Sequence, residues 1–211
     1  MRGPILGIDE AGRGCVLGAL FIGGYLVRRE DELALRAAGA ADSKALTHVK
    51  RLAARARLQE LGTADVRQVA VREIDGASLN ALEEAVVADL VATHRPGLVR
   101  MDALGPPIGI PRMIARIEAR LPADLRPKWV VEPKADATFA LVGAASIFAK
   151  TDRDAALEQL AAAHGALGSG YPHDPATRAW LAAHARTGRP WPAFVRTKWE
   201  TIRAFAQPAL L

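Results

Sequence analysis

Two apolar stretches, residues 4–9 (PILGID) and 16–27 (VLGALFIGGYLV), stand six residues apart, joined only by EAGRGC. Short apolar runs bounded by glycines read as buried strands, and so brief a link makes them neighbouring arms of a hairpin or meander. Further along the period changes. Residues 47–61 (THVKRLAARARLQEL) and 75–93 carry apolar positions at helical spacing, with Thr47 and Asp75 as N-cap residues. Residues 66–74 (VRQVAVREI) alternate as a third strand, and 97–105 (GLVRMDALG) and 127–132 (PKWVVE) read as two more. Residues 138–163 form a long, mostly apolar helix, followed by shorter ones. The expected architecture is α/β. Three antiparallel strands begin a mixed five-stranded sheet, parallel strands join it through crossover helices, and a helical extension follows.

A chain of 211 residues is long enough for one substantial core. Its formal net charge of +5 and pI of about 9.8 favour a polyanionic partner, without separating nucleic acid from an acidic membrane surface. The single cysteine, Cys15, excludes an internal disulfide and a cysteine-based zinc cage. No apolar run of about twenty residues is present, and the N-terminal segment reaches charge too early for a signal peptide. A cytoplasmic protein, free of the membrane and monomeric, is the expectation.

Asp9 and Glu10 close the first strand, and Asp102 closes the fourth. Adjacent residues of a continuous strand point to opposite faces, so Glu10 shares a site with Asp9 only if the strand ends there. Asp154, in AKTDRD (149–154), adds a fourth acid on the long helix, four residues from Lys150 and on its face. Each pair of carboxylates about 4 Å apart costs roughly 4 kcal/mol at an effective dielectric near 20. Hard divalent cations with oxygen ligands, Mg²⁺ or Mn²⁺, remove that cost. No histidine stands at ligand spacing from these acids, which argues against zinc. The plainer alternative is a solvated turn at Asp9–Glu10, a strand end at Asp102, and Asp154 paired with Arg153 or Lys150.

Six motifs in order resemble the type 2 ribonucleases H: GIDEAGRG (7–14), ADSKAL (41–46), RMDALG (100–105), EPKADA (132–137), AASIFAKTDRD (144–154) and GSGYPHDP (168–175). The resemblance runs from residue 5 to about residue 199. GSGYPHDP, with FVRTKWETI (194–202) after it, is closer to the archaeal and eukaryotic branch than to the common bacterial one. It implies an RNase H-like fold, with residues 1–165 as catalytic core and 166–211 as the extension packing on core and substrate. The implied reaction is hydrolysis of the RNA strand of RNA–DNA hybrids and incision 5′ to single ribonucleotides embedded in duplex DNA. Two divalent ions, Mg²⁺ or Mn²⁺, would serve it, leaving 5′-phosphate and 3′-hydroxyl ends. Asp9, Glu10, Asp102 and Asp154 match the metal-binding, catalytic acids, and Asp152 is a decoy. Gly12, Arg13 and Gly14 match a turn that reads the ribose 2′-hydroxyl and a nearby phosphate. Tyr171 matches a tyrosine packed on the sugar beside the scissile bond. Lys44 and Lys150 match basic positions near the nucleic-acid backbone. Cys15, Ala19, Pro133 and Gly143 depart from the family pattern without removing an acid.

Two other classes fit less well. A related two-metal nuclease acting on branched DNA would share the acids but gives no reason for Gly-Arg-Gly together with Tyr171. A non-catalytic nucleic-acid-binding module would tolerate loss of an acid, and none is lost. Cys15 reads as an apolar filler, the histidines as surface or cap residues, and the basic stretch 49–59 as a solvated helix face with some phosphate contact. Residues 207–211 (QPALL) lack the aromatic pair of a sliding-clamp motif.

Overall fold

The computed structural model describes residues 3–28, 31–40 and 46–206. Strands β1 (Ile5–Ala11), β2 (Leu20–Val27), β3 (Thr63–Val69), β4 (Leu98–Asp102) and β5 (Lys128–Glu132) form one sheet in the order β3-β2-β1-β4-β5. The β1–β2 and β2–β3 pairs are antiparallel, and β1–β4 and β4–β5 are parallel, as expected from the sequence. The helices are α1 (Ala34–Ala37), α2 (His48–Leu58), α3 (Val71–Gly76), α4 (Leu79–His94), α5 (Ile110–Glu118), α6 (Ala135–Thr138), α7 (Ala140–His164), α8 (Pro175–Arg186) and α9 (Glu200–Ala206). None among the described residues is long and apolar enough to cross a membrane.

The expected third strand, 66–74, is displaced. Pairing with β2 ends at Leu20↔Val69, and the chain then turns into α3, where Glu73 accepts the Ala70 N–H at 2.9 Å. Val71 and Ile74 are both buried, three residues apart, which puts them on one side of a helical turn but on opposite faces of a strand. Asp75 is not an N-cap. It accepts from the Thr197 N–H at 2.8 Å and the Thr197 hydroxyl at 2.7 Å, tying α3 to the C-terminal segment. Thr47 does cap α2, accepting from the Lys50 N–H at 3.4 Å.

The two sheet faces have different neighbours. Leu6, Ile8 and Ile22 pack with Val87, Leu90 and Val91 of α4 and Met113 and Ile117 of α5. Ile5 and Tyr25 pack with Leu141, Ala144, Ala145 and Phe148 of α7. On that face a Cβ at Gly7 would stand 2.5 Å from the Leu141 carbonyl oxygen, and one at Gly23 would stand 2.5 Å from that of Ala145. These strand glycines let α7 lie directly on the sheet backbone. The helix is thereby held at one depth, and its middle carries Lys150, Arg153 and Asp154 to the same cavity as Asp102 of β4.

The C-terminal segment is stitched to the chain just after the first strand. Gly170 O accepts from Val16 N at 2.8 Å and from Leu17 N at 3.3 Å, and Leu17 bridges to Val195. Val16, Leu17, Leu167, Leu181, Phe194, Val195 and Ile202 then bury one another.

Candidate active site

The parallel pairing of β1 with β4 stops at Ile8↔Met101, while β1 continues to Ala11 paired with β2 alone. The strand therefore does not end at Glu10, contrary to expectation. Asp9 and Glu10 share a site because β4 has fallen away beside them, opening a cleft between the strands. A cavity of about 430 Å³ lies there, lined by Asp9, Glu10, Asp102, Asp136, Lys150 and Asp154, with Arg51, Arg153 and Tyr171. All four acids singled out in the sequence are brought together. Asp136, a fifth and buried one, was not among them.

Burial and the neighbouring Glu10 push the Asp9 carboxyl up to about 8, against a Ser146 hydrogen bond and the Lys150 charge. Burial also raises Glu10, Asp102 adding to the effect and Arg13 opposing it. Asp102 Oδ1 accepts from Ala103 N at 2.9 Å and Lys134 N at 2.8 Å. Lys134 holds a left-handed backbone, φ +61°, an uncommon conformation for a side chain of its size. Asp154 meets two guanidiniums: Arg51 Nη1 donates to Oδ2 at 2.8 Å, and Arg153 Nη1 to Oδ1 at 2.8 Å. Asp152 turns away to Arg55.

As the side chains stand, no three acids, histidines or cysteines among the described residues close into a ligand set. The donors nevertheless suit a hard cation. They are carboxylates gathered in one cavity, the oxygen donors that hard divalent ions take.

The Gly12–Gly14 turn is held from outside. Gly12 has φ +88°, and a Cβ there would lie 3.0 Å from the Ala19 carbonyl oxygen. The fully buried Arg196 donates to Gly12 O at 2.7 Å, Arg13 O at 3.0 Å and Gly18 O at 2.9 Å. Burial lowers its pKa to about 10. The Arg13 guanidinium lies against Glu83 and donates to Asn80 Oδ1 at 2.5 Å. Tyr171 closes over Gly14, its Cε1 3.5 Å from where a Cβ would stand. Arg153 sits 5.1 Å from the Tyr171 ring centre, donates to Cys15 Sγ at 3.3 Å and reaches Ser169 O. Cys15 is thus a buried hydrogen-bond acceptor rather than a mere apolar filler.

The basic stretch 49–59 also differs from expectation. Arg51 and Arg55 turn inward onto Asp154, Asp152 and Thr151 of α7, and Arg57 onto Ala38 O at 3.0 Å. His48 Nδ1 lies 3.6 Å from Asp154. Lys44 falls outside the described residues, as does QPALL. Arg196, Glu83 and Asn80 were missed by sequence reasoning. The available signals were an arginine inside the apolar FVRTKW and a glutamate on the inward side of a helix.

The family model described as Ribonuclease HII matches residues 6–202. The chain belongs to the ribonuclease HII family. It is 39% identical over 214 residues to the ribonuclease HII of Hyperthermus butylicus, covering 95% of this chain and 84% of that protein. Its structure is similar to the crystal structure of ribonuclease H2 from Pyrococcus horikoshii, with a TM-score of 0.86 and 36% identity over 96% of each chain. It is also similar to ribonuclease HII of Archaeoglobus fulgidus, solved in complex with PCNA, with a TM-score of 0.83 and 32% identity over 93% of this chain and 95% of that one. The five-stranded sheet flanked by helices is thus the RNase H-like fold of these proteins. The Archaeoglobus complex lends no support to the expectation of a chain without a clamp contact.

Proposed function

We propose that this member of the family hydrolyses the RNA strand of RNA–DNA hybrids and cuts 5′ to single ribonucleotides in duplex DNA, with two divalent ions. One observation carries the reading: four carboxylates on β1, β4 and α7 face one cleft whose rim is the Gly12–Gly14 turn under Tyr171. Asp9, Glu10, Asp102 and Asp154 would hold Mg²⁺ or Mn²⁺, which would activate a water and stabilise the departing oxygen of the phosphodiester. Asp154 exchanges its Arg51 contact for this role, while Arg153 keeps the other oxygen in place. The backbone of the turn approaches the sugar closely and reads the 2′-hydroxyl, which both donates and accepts. Arg13 meets the adjacent phosphate with its planar fork, and Tyr171 packs on the neighbouring sugar. Lys150 offsets charge at Asp9, and Lys44 contacts the backbone of the duplex. Residues 166–211 act as an extension that brings Tyr171 to the core.

The test is a duplex carrying one ribonucleotide, incubated with EDTA and then with Mg²⁺ or Mn²⁺. Cleavage is expected only with metal, at the 5′ side of the ribonucleotide. Asp102→Asn should lower turnover by more than about a hundredfold, the upper figure for disturbing an outer partner of a metal ligand. Wild-type turnover by that variant, or equal cleavage of an all-DNA duplex, would sink the reading.

A further inference from the structure

Glu83 is a carboxylate in the wrong place for a helix packed on a sheet. Its side chain is 1% exposed, among the apolar residues that α4 turns toward Ile8, Ile22 and Met101. Its Oε1 has no hydrogen-bond partner among the described residues. That oxygen belongs to a residue lining a void of about 10 Å³ shared with Asp9, Glu10, Asp102 and Leu104. The cation paired with it is Arg13. Asn80, one helical turn earlier and exposed, takes the other arm of the same guanidinium at 2.5 Å, and Leu104 O lies 3.4 Å from it. Arg13 itself stays partly open, 32% exposed, beside the acid cavity rather than in its wall.

We infer that Asn80 and Glu83 are positioning residues that aim Arg13 at the substrate phosphate. The inference rests on the ribonuclease reading above and adds the means by which the turn is prepared. A buried ion pair is a weak source of stability, since apolar groups of the same volume do as well. Its distinct effect is orientation: a long side chain that would otherwise sample many rotamers is held in one before substrate arrives. With Arg196 on the turn's carbonyls and Glu83 with Asn80 on its side chain, the backbone and the guanidinium are prepared separately.

The experiment measures Kd in EDTA for a duplex with one ribonucleotide, Tm, and kcat with Mg²⁺, for Glu83→Gln, Asn80→Ala, Arg13→Ala and the Arg13→Ala/Glu83→Gln double variant. Glu83→Gln should raise Kd roughly three- to tenfold, the factor for one immobilised long side chain, with kcat within about twofold. In the Arg13→Ala background the same change should leave Kd unmoved and raise Tm, because it removes a buried carboxylate left without its cation. A general packing defect would instead weaken binding equally in both backgrounds, and that additivity would overturn the inference. A lower Kd in Glu83→Gln would make the pair a latch holding Arg13 away, and would also overturn it. If Glu83→Gln does not fold, the exposed Asn80→Ala decides alone: Kd should rise about twofold or more, and an unchanged Kd rejects the clamp. Because binding is read without metal, a wild type that bound but never cut would count against the ribonuclease reading and leave the clamp to be judged on its own.

Discussion

The acid cluster and the Gly12–Gly14 turn lie next to each other but are built in opposite ways. The acids are placed by regular structure. Asp9 and Glu10 take their places from the register of β1, Asp102 from the end of β4, and Asp154 from a helix that two strand glycines hold close to the sheet. The turn has no regular structure, and its carbonyls and side chain are held by residues 196, 80 and 83, from distant parts of the chain. A site set by strand register survives many changes around it. One set by a few polar contacts depends on each of them.

The largest expected effect breaks the acid side. Asp154→Asn should lose more than about a hundredfold in turnover, whereas Asp152→Asn should stay within severalfold, since Asp152 pairs with Arg55 about 200° around the helix. Single-turnover cleavage of a one-ribonucleotide duplex measures both, and the reverse ranking would show that the wrong helix face was assigned to the cleft. Next comes the turn. Arg196→Met removes the donor to three turn carbonyls; Gly12 O keeps the Cys15 N–H at 3.2 Å, and a carbonyl left without a partner costs about 1–3 kcal/mol. Tm should fall, and cleavage at a single ribonucleotide should fall further than metal binding, which calorimetric titration would follow. Equal loss of both would mean that the turn and the acids form one unit. The smallest effect concerns the polyanion. Lys44→Ala should flatten the slope of log K against log salt by about 0.9, the figure for one duplex DNA phosphate contact. A slope unchanged in filter binding would remove Lys44 from the contact surface.

Much of this was legible in the residues. The strand pairs, the crossovers and the four acids follow from apolar runs, helical spacing and where charge interrupts them. What misled was local ambiguity. Residues 66–74 read as one strand, but Val71 and Ile74 share a side only in a helical turn, and the Glu73 contact with the Ala70 N–H holds that turn. The basic residues of α2 read as a solvated face, but α7 offers Asp152 and Asp154 to them. Local pattern reports which side of a helix is charged and not what stands opposite.

The sequence by itself determined the sheet and the four acids, with Asp102 at a strand end and Asp154 on the long helix, because alternation and helical period act over a few residues. Only the tertiary structure decided why Asp9 and Glu10 can share a cleft on an unbroken strand: β4 stops pairing two residues before Glu10. It alone decided that Arg196 lies under the turn and Glu83 beside it, since a hydrogen bond spanning 184 positions leaves no periodic trace. Such contacts form only after the hydrophobic layers have fixed where each segment lies, so their partners are set by packing rather than by neighbours in the chain.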